Sequence, residues 1–276
     1  MWQVSSEVFR SFLFVPATSK RFVNKAIGLE TDAVILDLEA SIPHDQKEEA
    51  RGCLSDAVEQ LRQTRKTVLV RVNPGNLKDC TAAMEAQADG IVVPTVEQPE
   101  DLLCFSSRLD QEKGLFPIIE TPLGLVNLPS LLATDLPVGG LMFGSEDFVV
   151  RMGSRALPCR DLLFNACWQL AVHARAQGIT PYGIPGTLAD FSETERFREI
   201  CEQGRRVGMA GCPAIHPGQL SVLNEVFSPS EEELATARRA VEAFIAAGEK
   251  AIAVDGKMVD YPIYERYLGL LEQQQV

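Results

Sequence analysis

The sequence predicts an α/β protein built as a single TIM (β/α)8 barrel with a C-terminal helical extension. Three observations predict this fold. Short β-rich runs alternate with helical segments, which is typical of a parallel sheet. Most runs are continuously apolar, as in Ala33-Val34-Ile35-Leu36, and a strand covered on both faces has this pattern. The length of 276 residues exceeds the roughly 250 residues of a typical barrel by a short extension.

Eight strands follow one another along the chain. The first six rest on strong apolar runs, and the last two rest on shorter ones. They cover residues 11–16, 33–38, 67–72, 90–95, 115–120, 139–144, 181–184 and 210–215. We therefore expect residues 1–227 to form the barrel and to carry the catalytic site.

Helices are predicted where apolar residues recur at helical spacing. Residues 48–61 and 160–177 show this spacing, and Gly178 ends the second helix. Ser230 and Glu233 have the spacing of a capping box, which predicts the start of a helix over 231–250. Residues 248–256 are expected to form a hinge before a last amphipathic segment. Residues 228–276 are thus predicted to be a helical extension and lid.

The composition argues against several classes of partner. The formal net charge of −12 disfavours nucleic acid and anionic membranes, because like charges repel, and an anionic substrate would need local cations. No run of about 18 apolar residues predicts a membrane span. The seven cysteines include no Cys-x-x-Cys pair, which favours reduced thiols over disulfides or zinc. We expect a cytoplasmic protein with a small-molecule substrate.

Polar residues stand where many of the predicted strands end. In a TIM barrel the loops after the strands surround the active-site pocket, so these residues are the candidates for chemistry. They are Asp37, Glu39, Arg71, Asn73, Glu120, Glu146, Asp147 and His216, with Gly144 at the start of the sixth strand end. Each has the alternative explanation of a solvated loop residue, but five such strand ends together favour one shared site.

Glu120 and Asp147 are the candidate metal ligands. Glu120 directly follows an apolar run, so its charge needs a partner inside the barrel mouth. Mg²⁺ usually takes one or two protein carboxylates and fills its other positions with water and substrate oxygens. Asp147 can supply the second carboxylate, whereas Glu146 is expected to be solvated or to lie outside the metal's direct contacts.

Arg71 is the candidate substrate-binding cation. It lies within an apolar strand, where a positive charge is costly unless it meets an anion, and its planar guanidinium suits a carboxylate or enolate oxygen. An ion pair with Asp37 or Glu39 is the structural alternative and is compatible with substrate binding. His216 is expected to be a buried histidine that braces the last loop rather than a catalytic one.

Seven motifs stand in order along nearly the whole chain. They are Arg10-Ser11-x-Leu13-Phe14-Val15-Pro16, Arg21-Phe22-x-x-Lys25-Ala26, Leu36-Asp37-Leu38-Glu39, Val70-Arg71-Val72-Asn73, Ile119-Glu120-Thr121-Pro122, Phe143-Gly144-x-Glu146-Asp147 and Ile215-His216-Pro217-x-Gln219. In this order and spacing they resemble the citrate lyase beta-subunit-like branch of the HpcH/HpaI aldolase superfamily.

The resemblance implies roles for particular residues. It implies a barrel that forms a homo-oligomer, such as a homotrimer or hexamer, and that binds Mg²⁺, or Mn²⁺, through Glu120 and Asp147. Arg21 and Lys25 would lie near the phosphates of coenzyme A. Asp260, in the segment that resembles the family's lid, would enter a neighbouring subunit as an acid or base. The full set of predicted residues is catalytic Arg71, Asp37, Glu39 and Asp260, and substrate-binding Arg71, Glu120 and Gly144.

The resemblance also implies the reaction. Family members cleave or form the bond between the methyl carbon of an acetyl thioester and an oxo acid. We expect a carbon–carbon lyase that acts on (S)-citramalyl-CoA to give pyruvate and acetyl-CoA. The alternatives are a malyl-CoA lyase, the beta subunit of a citrate lyase complex acting on an acyl-carrier thioester, a class II aldolase without coenzyme A, and a non-catalytic metabolite-binding barrel.

Two positions depart from the family pattern. Ala40 stands where an aspartate is common after Asp37-Leu38-Glu39, and Gly211-Cys212-Pro213-Ala214 replaces a segment that commonly carries a lysine. Both are expected near the thioester pocket. They bear on the identity of the acyl group and its carrier more than on the metal chemistry, because Glu120, Asp147 and Arg71 are all present.

Overall fold

The computed structural model describes residues 8–109, 113–133, 135–154, 160–189 and 193–272. The chain divides into two compact units, Met1–Asn224 and Glu225–Val276. Within the described residues, no helix is both long and apolar enough to cross a membrane.

The first unit is a barrel of eight parallel strands. The strands are β1 (Ser11–Pro16), β2 (Ala33–Asp37), β3 (Thr67–Arg71), β4 (Gly90–Val93), β5 (Gly114–Ile119), β6 (Leu141–Phe143), β7 (Pro181–Tyr182) and β8 (Cys212–Ala214). Their order is β7-β6-β5-β4-β3-β2-β1-β8. The Gly183 amide donates to the Gly211 carbonyl at 2.8 Å, and the Ala210 amide donates to the Pro181 carbonyl at 2.9 Å. These two bonds link the β7 and β8 edges, so the predicted barrel fold is confirmed.

Helices connect successive strands on the outside of the sheet, and the last helix of this unit follows β8. They are α1 (Lys20–Ile27), α2 (Lys47–Gly52), α3 (Leu54–Arg62), α4 (Leu77–Glu85), α5 (Glu100–Ser106), α6 (Pro122–Val126), α7 (Leu128–Leu132), α8 (Ser145–Arg151), α9 (Arg160–Ala176), α10 (Thr194–Arg206) and α11 (Leu220–Val226). The single helix predicted over 48–61 is wrong in one respect, because α2 and α3 meet at Cys53 directly after Gly52, a poor helix former.

Several strands are shorter than the sequence predicts. The prediction extended the seventh strand to residue 184, but Gly183 has φ of 139°, outside strand geometry. The sixth strand begins at Leu141 instead of residue 139, although the Gly139 amide still donates to the Leu115 carbonyl at 2.8 Å. Gly139 and Gly140 pack closely against aromatic rings. An added Cβ would lie 2.8 Å from Phe116 at Gly139 and 2.5 Å from Tyr182 at Gly140.

Aromatic rings fill the amino-terminal end of the barrel. Phe12 and Tyr182 pack edge to face with ring centroids 4.8 Å apart, and Phe9 lies 5.2 Å from Phe12 and 6.4 Å from Phe116. All four residues are buried, and Phe9 comes before the first residue of β1. This aromatic floor closes the lower end, so the opposite end, where the strands finish, is left for chemistry.

The polar residues at the upper end continue the inward-facing rows of this core. Side chains alternate between the two faces of a strand, so a residue two positions beyond a core residue faces the same way. The core residues Ile35, Leu69, Ile118 and Met142 are followed two positions later by Asp37, Arg71, Glu120 and Gly144. Alternation therefore brings four predicted site residues to one layer above the apolar core.

The second unit is a helix, a hairpin and a helix. α12 (Glu231–Ala246) begins at the predicted capping box, since Ser230 Oγ accepts from the Glu233 amide and the Glu233 carboxylate accepts from the Ser230 amide. β9 (Ile252–Val254) and β10 (Lys257–Val259) pair in antiparallel register, and α13 (Tyr261–Glu272) follows. Phe244 stacks on Tyr264 at 4.9 Å.

The hinge predicted over 248–256 is wrong, because most of this segment belongs to the hairpin. The connection between β9 and β10 is Asp255-Gly256, with φ of 51° and 74°, and this dipeptide is the preferred two-residue turn of a tight hairpin. The helix predicted to reach residue 250 ends four residues earlier, before Gly248 and Glu249, which also have positive φ.

Candidate active site

Arg71 is held by two carboxylates from the end of β2. Its Nε donates to Asp37 Oδ1 at 2.7 Å and its Nη2 donates to Asp37 Oδ2 at 2.8 Å, while Nη1 lies 3.2 Å from Glu39 Oε2. The guanidinium carbon lies 4.5 Å from the ring centroid of Phe14 on β1. Register explains the pairing, since Asp37 and Arg71 are direct partners across β2 and β3. The ion pair considered as the structural alternative is present.

Asp37 is buried but satisfied. Burial alone would raise the pKa of its carboxyl, but the hydrogen bonds and charge of Arg71, with donors from Ser41 and the Glu39 backbone, outweigh burial and lower the pKa. A carboxylate with a depressed pKa is a weak proton acceptor. Asp37 therefore fixes the orientation of the Arg71 guanidinium.

The loop that carries Glu39 is braced from below. Lys47 Nζ donates to the carbonyl oxygens of Leu38 at 2.7 Å and Glu39 at 2.6 Å. Asn73 donates through its side chain to the Leu38 carbonyl at 2.9 Å and to Asp79 at 2.6 Å. Asp79, fully buried, also pairs with Arg51 at 2.7 Å. These bonds hold the loop on which Glu39 faces Arg71.

Glu120 is anchored by a residue from the neighbouring loop. Glu120 Oε1 accepts from the Thr95 amide at 2.7 Å and from the Thr95 hydroxyl at 2.8 Å. Within the described part of the chain, the other oxygen, Oε2, accepts no hydrogen bond. It lies on the side of Gly144, where an added Cβ would come within 2.6 Å of it. Gly144 therefore gives the Glu120 carboxylate its space.

The electrostatics of Glu120 are opposite to those of Asp37. Burial, followed by repulsion from Asp147, raises the pKa of Glu120, although the Thr95 donors and the charge of Arg71 act against the increase. Asp147 is exposed in the first turn of α8. The charges of Asp147 and Arg71 thus both act on Glu120, as expected for three residues that share one site.

The donor set fits a hard divalent cation. Glu120 has a free oxygen, Asp147 presents a second carboxylate, and the two repel one another without a cation. No group of three or more His, Cys, Asp or Glu side chains suited to a metal is found among the residues that the structure describes. Two carboxylates are a number that Mg²⁺ commonly accepts from a protein, whereas zinc sites commonly need more protein ligands.

Other predicted residues fall in three places. Arg21 and Lys25 are exposed on α1, the helix that follows β1. Asp260 lies in the second unit, where its Oδ1 accepts from the Ile263 amide at 3.3 Å at the start of α13. The sites that these three residues would serve stay predictions.

Glu146 and His216 act as structural braces. Glu146 accepts hydrogen bonds from the Thr187 hydroxyl and from the Leu188 amide, the latter at 2.8 Å, and so fixes the loop after β7. His216 Nδ1 accepts from the Gly218 amide at 3.1 Å, and Gln219 completes a capping box. His216 braces its loop as expected, but it is exposed instead of buried.

Of the two departures from the family pattern, Ala40 is exposed on the loop after β2. Cys212 is buried in β8, and burial, with the nearby thiols of Cys201 and Cys167, raises the pKa of its thiol. Those two cysteines belong to α10 and α9, so the Cys212 side chain faces the helices. The expectation that Cys212 lies near the thioester pocket is wrong, since the parity of the strand turns it outward.

Sequence reasoning missed Thr95, Lys47 and Asp79. Residue 95 was expected to end a strand, yet β4 stops at Val93 and Thr95 turns toward Glu120 with φ of 53°. The available signal was Pro94-Thr95 directly after an apolar run, a point where the chain must leave the strand. Nothing in the local sequence marks Lys47 or Asp79, because their partners lie on other elements.

The strand ends bring an arginine, two carboxylates that repel one another and a glycine to one end of a parallel barrel. This arrangement defines a barrel enzyme with a site for a hard cation. The family model described as HpcH/HpaI aldolase/citrate lyase matches residues 10–217. The chain therefore belongs to the HpcH/HpaI aldolase/citrate lyase family, as the sequence motifs predicted, and the prediction of a carbon–carbon lyase family is confirmed.

Three similar proteins illustrate the range of the family. A (3S)-malyl-CoA thioesterase of Cereibacter sphaeroides is 36% identical over 259 residues, covering 91% of this chain and 90% of its own length. The human mitochondrial citramalyl-CoA lyase is 28% identical over 284 residues, covering 93% and 83%. The CitE protein of Mycobacterium tuberculosis, solved with magnesium, acetoacetate and coenzyme A, has a TM-score of 0.78 and 26% identity over 98% of this chain and 99% of its own.

Proposed function

We propose that this protein is a Mg²⁺-dependent lyase that cleaves a carbon–carbon bond in the coenzyme A thioester of a small 2-hydroxy acid. The observation that carries the proposal is the pair Glu120 and Asp147, whose charges repel across a site that also contains Arg71. Support comes from the magnesium and coenzyme A bound by the M. tuberculosis protein. The preferred substrate is (S)-citramalyl-CoA, and the human relative's name, citramalyl-CoA lyase, supports this choice of acyl group.

The metal would be held by Glu120 and Asp147. When bound, Mg²⁺ lowers the pKa of the substrate hydroxyl and neutralises the negative charge of the oxo acid as it forms. Gly144 leaves room for the free oxygen of Glu120, and burial of Glu120 excludes water from one side of the site. These residues thus prepare the site for a charged substrate in a protein of net charge −12.

Arg71 would bind the substrate oxygens. Asp37 accepts hydrogen bonds from Nε and Nη2 of Arg71. The longer contact between Arg71 and Glu39, at 3.2 Å, is the one that a substrate carboxylate can displace. A buried guanidinium that is already oriented stabilises developing charge without reorganising during the reaction. Arg71 is therefore suited both to hold the carboxylate and to stabilise the thioester enolate.

Glu39 is the better placed base. It is about a third exposed and makes only the longer contact to Arg71, whereas Asp37 is buried in a two-bond pair with a lowered pKa. Glu39 takes the hydroxyl proton, the bond between the carbinol carbon and the adjacent methylene breaks, and its electron pair forms the thioester enolate. Asp260 of a neighbouring subunit returns a proton to the methylene carbon, which gives the oxo acid and acetyl-CoA.

The carrier would be bound outside the barrel mouth. Arg21 and Lys25 are exposed on the helix after β1, so their side chains are free to reach the phosphates of coenzyme A. The role assigned to Asp260 requires a homo-oligomer, for which a trimer or hexamer is proposed. A cytoplasmic location belongs to the same proposal, since coenzyme A thioesters and reduced thiols suit that compartment.

Hydrolysis of a malyl thioester is the second candidate function. The C. sphaeroides thioesterase shares 36% identity with this chain, against 28% for the human citramalyl-CoA lyase. In hydrolysis, water attacks the thioester carbonyl, and the products are malate and free coenzyme A. No oxo acid is released, which makes the two reactions simple to separate.

One assay distinguishes these functions. The purified protein is incubated with Mg²⁺ and citramalyl-, malyl- or citryl-CoA, and pyruvate, glyoxylate, oxaloacetate and free thiol are measured. Lyase activity gives an oxo acid without thiol, and we expect pyruvate from citramalyl-CoA. Release of thiol without an oxo acid would establish the thioesterase instead.

Glu120→Gln tests the site itself. Loss of one preorganised electrostatic group costs about 100-fold or more in rate, so we expect at least this loss of turnover. Glu59→Gln, the same change at an exposed position of α3, is the matched control and should keep the wild-type rate. Near-normal Mg²⁺-dependent turnover by Glu120→Gln would exclude Glu120 as a ligand.

A further inference from the structure

We propose that Thr95 makes this site selective for Mg²⁺ over Ca²⁺ by occupying one oxygen of Glu120 and leaving only the other for the cation. The inference rests on the proposed function, in which Glu120 is a metal ligand, and assigns Thr95 the role of a positioning residue. Thr95 itself need not touch the metal or the substrate.

The two oxygens of the Glu120 carboxylate have different surroundings. Oε1 accepts two hydrogen bonds from Thr95, at 2.7 and 2.8 Å, one from the amide and one from the hydroxyl. Oε2 lies on the Gly144 side, where an added Cβ would come within 2.6 Å. One oxygen is thus committed to the protein, while the other faces the end of β6 that leads into Asp147.

Thr95 is held in an unusual backbone conformation. It has φ of 53°, a left-handed conformation that is rare and strained for a β-branched residue. Neighbouring contacts maintain this conformation. The Val96 amide donates to the Ile118 carbonyl at 3.3 Å, and Gly124 approaches so closely that an added Cβ would lie 2.4 Å from the Val96 carbonyl oxygen. The loop is therefore fixed on both β5 and α6.

Mg²⁺ and Ca²⁺ require different arrangements of carboxylate oxygens. Mg²⁺ requires a compact octahedral set at short distances, and a single carboxylate oxygen suits it. Ca²⁺ takes six to eight oxygens and often binds both oxygens of one carboxylate. Two-oxygen binding by Glu120 would break both bonds from Thr95. Ca²⁺ therefore loses a binding mode that Mg²⁺ does not use.

The experiment compares binding of Mg²⁺ and Ca²⁺ to the intact protein by titration calorimetry, with no substrate present. Thr95→Val keeps the β-branched shape and removes the hydroxyl, and Thr95→Ser keeps the hydroxyl. Loss of a residue that orients a metal ligand typically weakens metal binding by about 10- to 100-fold. For Thr95→Val we expect the Mg²⁺ Kd to rise by about 10-fold or more and the Ca²⁺ Kd to change by less than about threefold.

Two further variants keep the test decisive. Thr95→Gly removes the hydroxyl and adopts positive φ without strain, so it reports the same loss of selectivity if the valine variant folds poorly. Thr64→Val is the matched control. Thr64 precedes the first residue of β3 and so lies at the opposite end of the barrel from the site, and its hydroxyl donates to the Leu61 carbonyl at 2.6 Å. We expect Thr64→Val and Thr95→Ser to keep the wild-type ratio of the two Kd values.

The outcomes separate this inference from the proposed function. If wild-type protein binds no Mg²⁺, or Glu120→Gln binds it as tightly as wild type, the proposed function is wrong. If Glu120→Gln loses Mg²⁺ but Thr95→Val and Thr95→Gly keep the wild-type ratio of Kd values, the metal site stands and the role of Thr95 is wrong. A fall in selectivity in both variants, with Thr95→Ser unchanged, supports the inference.

Discussion

Asp37 and Glu120 are two buried carboxylates in the same layer of the barrel, yet they are held in opposite ways. Asp37 is 1% exposed and Glu120 is 7% exposed, so burial does not distinguish them. Asp37 faces the guanidinium of Arg71 across a β2–β3 pair. Among the residues that the structure describes, Glu120 accepts hydrogen bonds only from the neutral donors of Thr95, and a second acid lies nearby.

The difference shows that the charge of Asp37 is balanced by a residue of the chain, whereas the charge of Glu120 needs a bound cation. A guanidinium lowers the pKa of Asp37, whereas burial and Asp147 raise the pKa of Glu120. Paired charges stabilise a fold only when both partners are present, and an unpaired buried charge costs stability. The four substitutions below test this comparison, ranked by their expected effect on the free energy of unfolding in EDTA.

Asp37→Asn should be the most destabilising change. It leaves the buried Arg71 charge without its main partner, and breaking a buried pair costs about 3–5 kcal/mol. Because the folded-state pKa of Asp37 is lowered, its contribution is present above the unfolded value of about 4 and is lost as pH falls through the folded pKa. Urea unfolding at several pH values measures this.

The matched control for that experiment is Asp56→Asn, at an exposed position of α3, which should change the unfolding free energy by less than about 0.5 kcal/mol. If Asp37→Asn were as mild as this control, the view of Asp37 as the fixed partner of Arg71 would be untenable.

Gly144→Ala should come next. The added Cβ would lie 2.6 Å from both Cβ and Oε2 of Glu120, and overpacking of this kind costs about 1–3 kcal/mol. The same displacement should weaken Mg²⁺ binding, measured by calorimetry. Gly52→Ala has nothing within 4 Å of its new Cβ and serves as the control. Unchanged Mg²⁺ affinity in Gly144→Ala would contradict the placement of the Glu120 oxygen.

Glu39→Gln should have a small effect on stability and a large one on turnover. A partly exposed ion pair contributes about 0–1 kcal/mol, so the unfolding free energy should fall by no more than this. Removal of a general base lowers kcat by about 100-fold or more. Thermal unfolding and single-turnover kinetics measure the two quantities. Stability loss with normal kcat would make Glu39 a structural partner of Arg71 only.

Glu120→Gln should leave the metal-free protein as stable as wild type or more stable. The raised folded-state pKa means that the native state binds the proton more tightly than the unfolded chain, so stability in EDTA declines as pH rises through the folded pKa. The advantage of Gln should therefore grow as pH rises from the unfolded value of about 4.5 through the raised folded-state pKa. With excess Mg²⁺ the order should reverse. If Glu120→Gln were less stable than wild type in EDTA, the conclusion that the Glu120 carboxylate lacks a positive partner in the metal-free protein would be wrong.

Periodicity and strand-end residues were sufficient to predict the barrel. The apolar runs located all eight strands, and alternation beyond Ile35, Leu69 and Ile118 explains why Asp37, Arg71 and Glu120 converge. The resemblance supplied the family. What escaped prediction depends on contacts between distant segments, since Thr95 becomes informative only beside Glu120 and Asp79 only beside Arg51.

Two local signals were present and were interpreted wrongly. Asp255-Gly256 is a hairpin dipeptide and forms the β9–β10 turn, but residues 248–256 were expected to form a hinge. Cys212 was expected at the thioester pocket because it stands in a segment where the family commonly carries a lysine, whereas strand parity turns its side chain toward α9 and α10. In both cases the geometry of single residues outweighed the average character of the segment.

The aromatic floor formed by Phe9, Phe12, Phe116 and Tyr182 blocks passage through the amino-terminal end of the barrel. The substrate and both products therefore pass through the opposite end, and the products leave in a fixed order. On the proposed function, the oxo acid beside Arg71 lies deeper in the barrel than acetyl-CoA, whose carrier is bound at the rim. The oxo acid therefore leaves last. High concentrations of the oxo acid should then trap the enzyme before a new thioester can enter, a dependence that steady-state product inhibition would reveal.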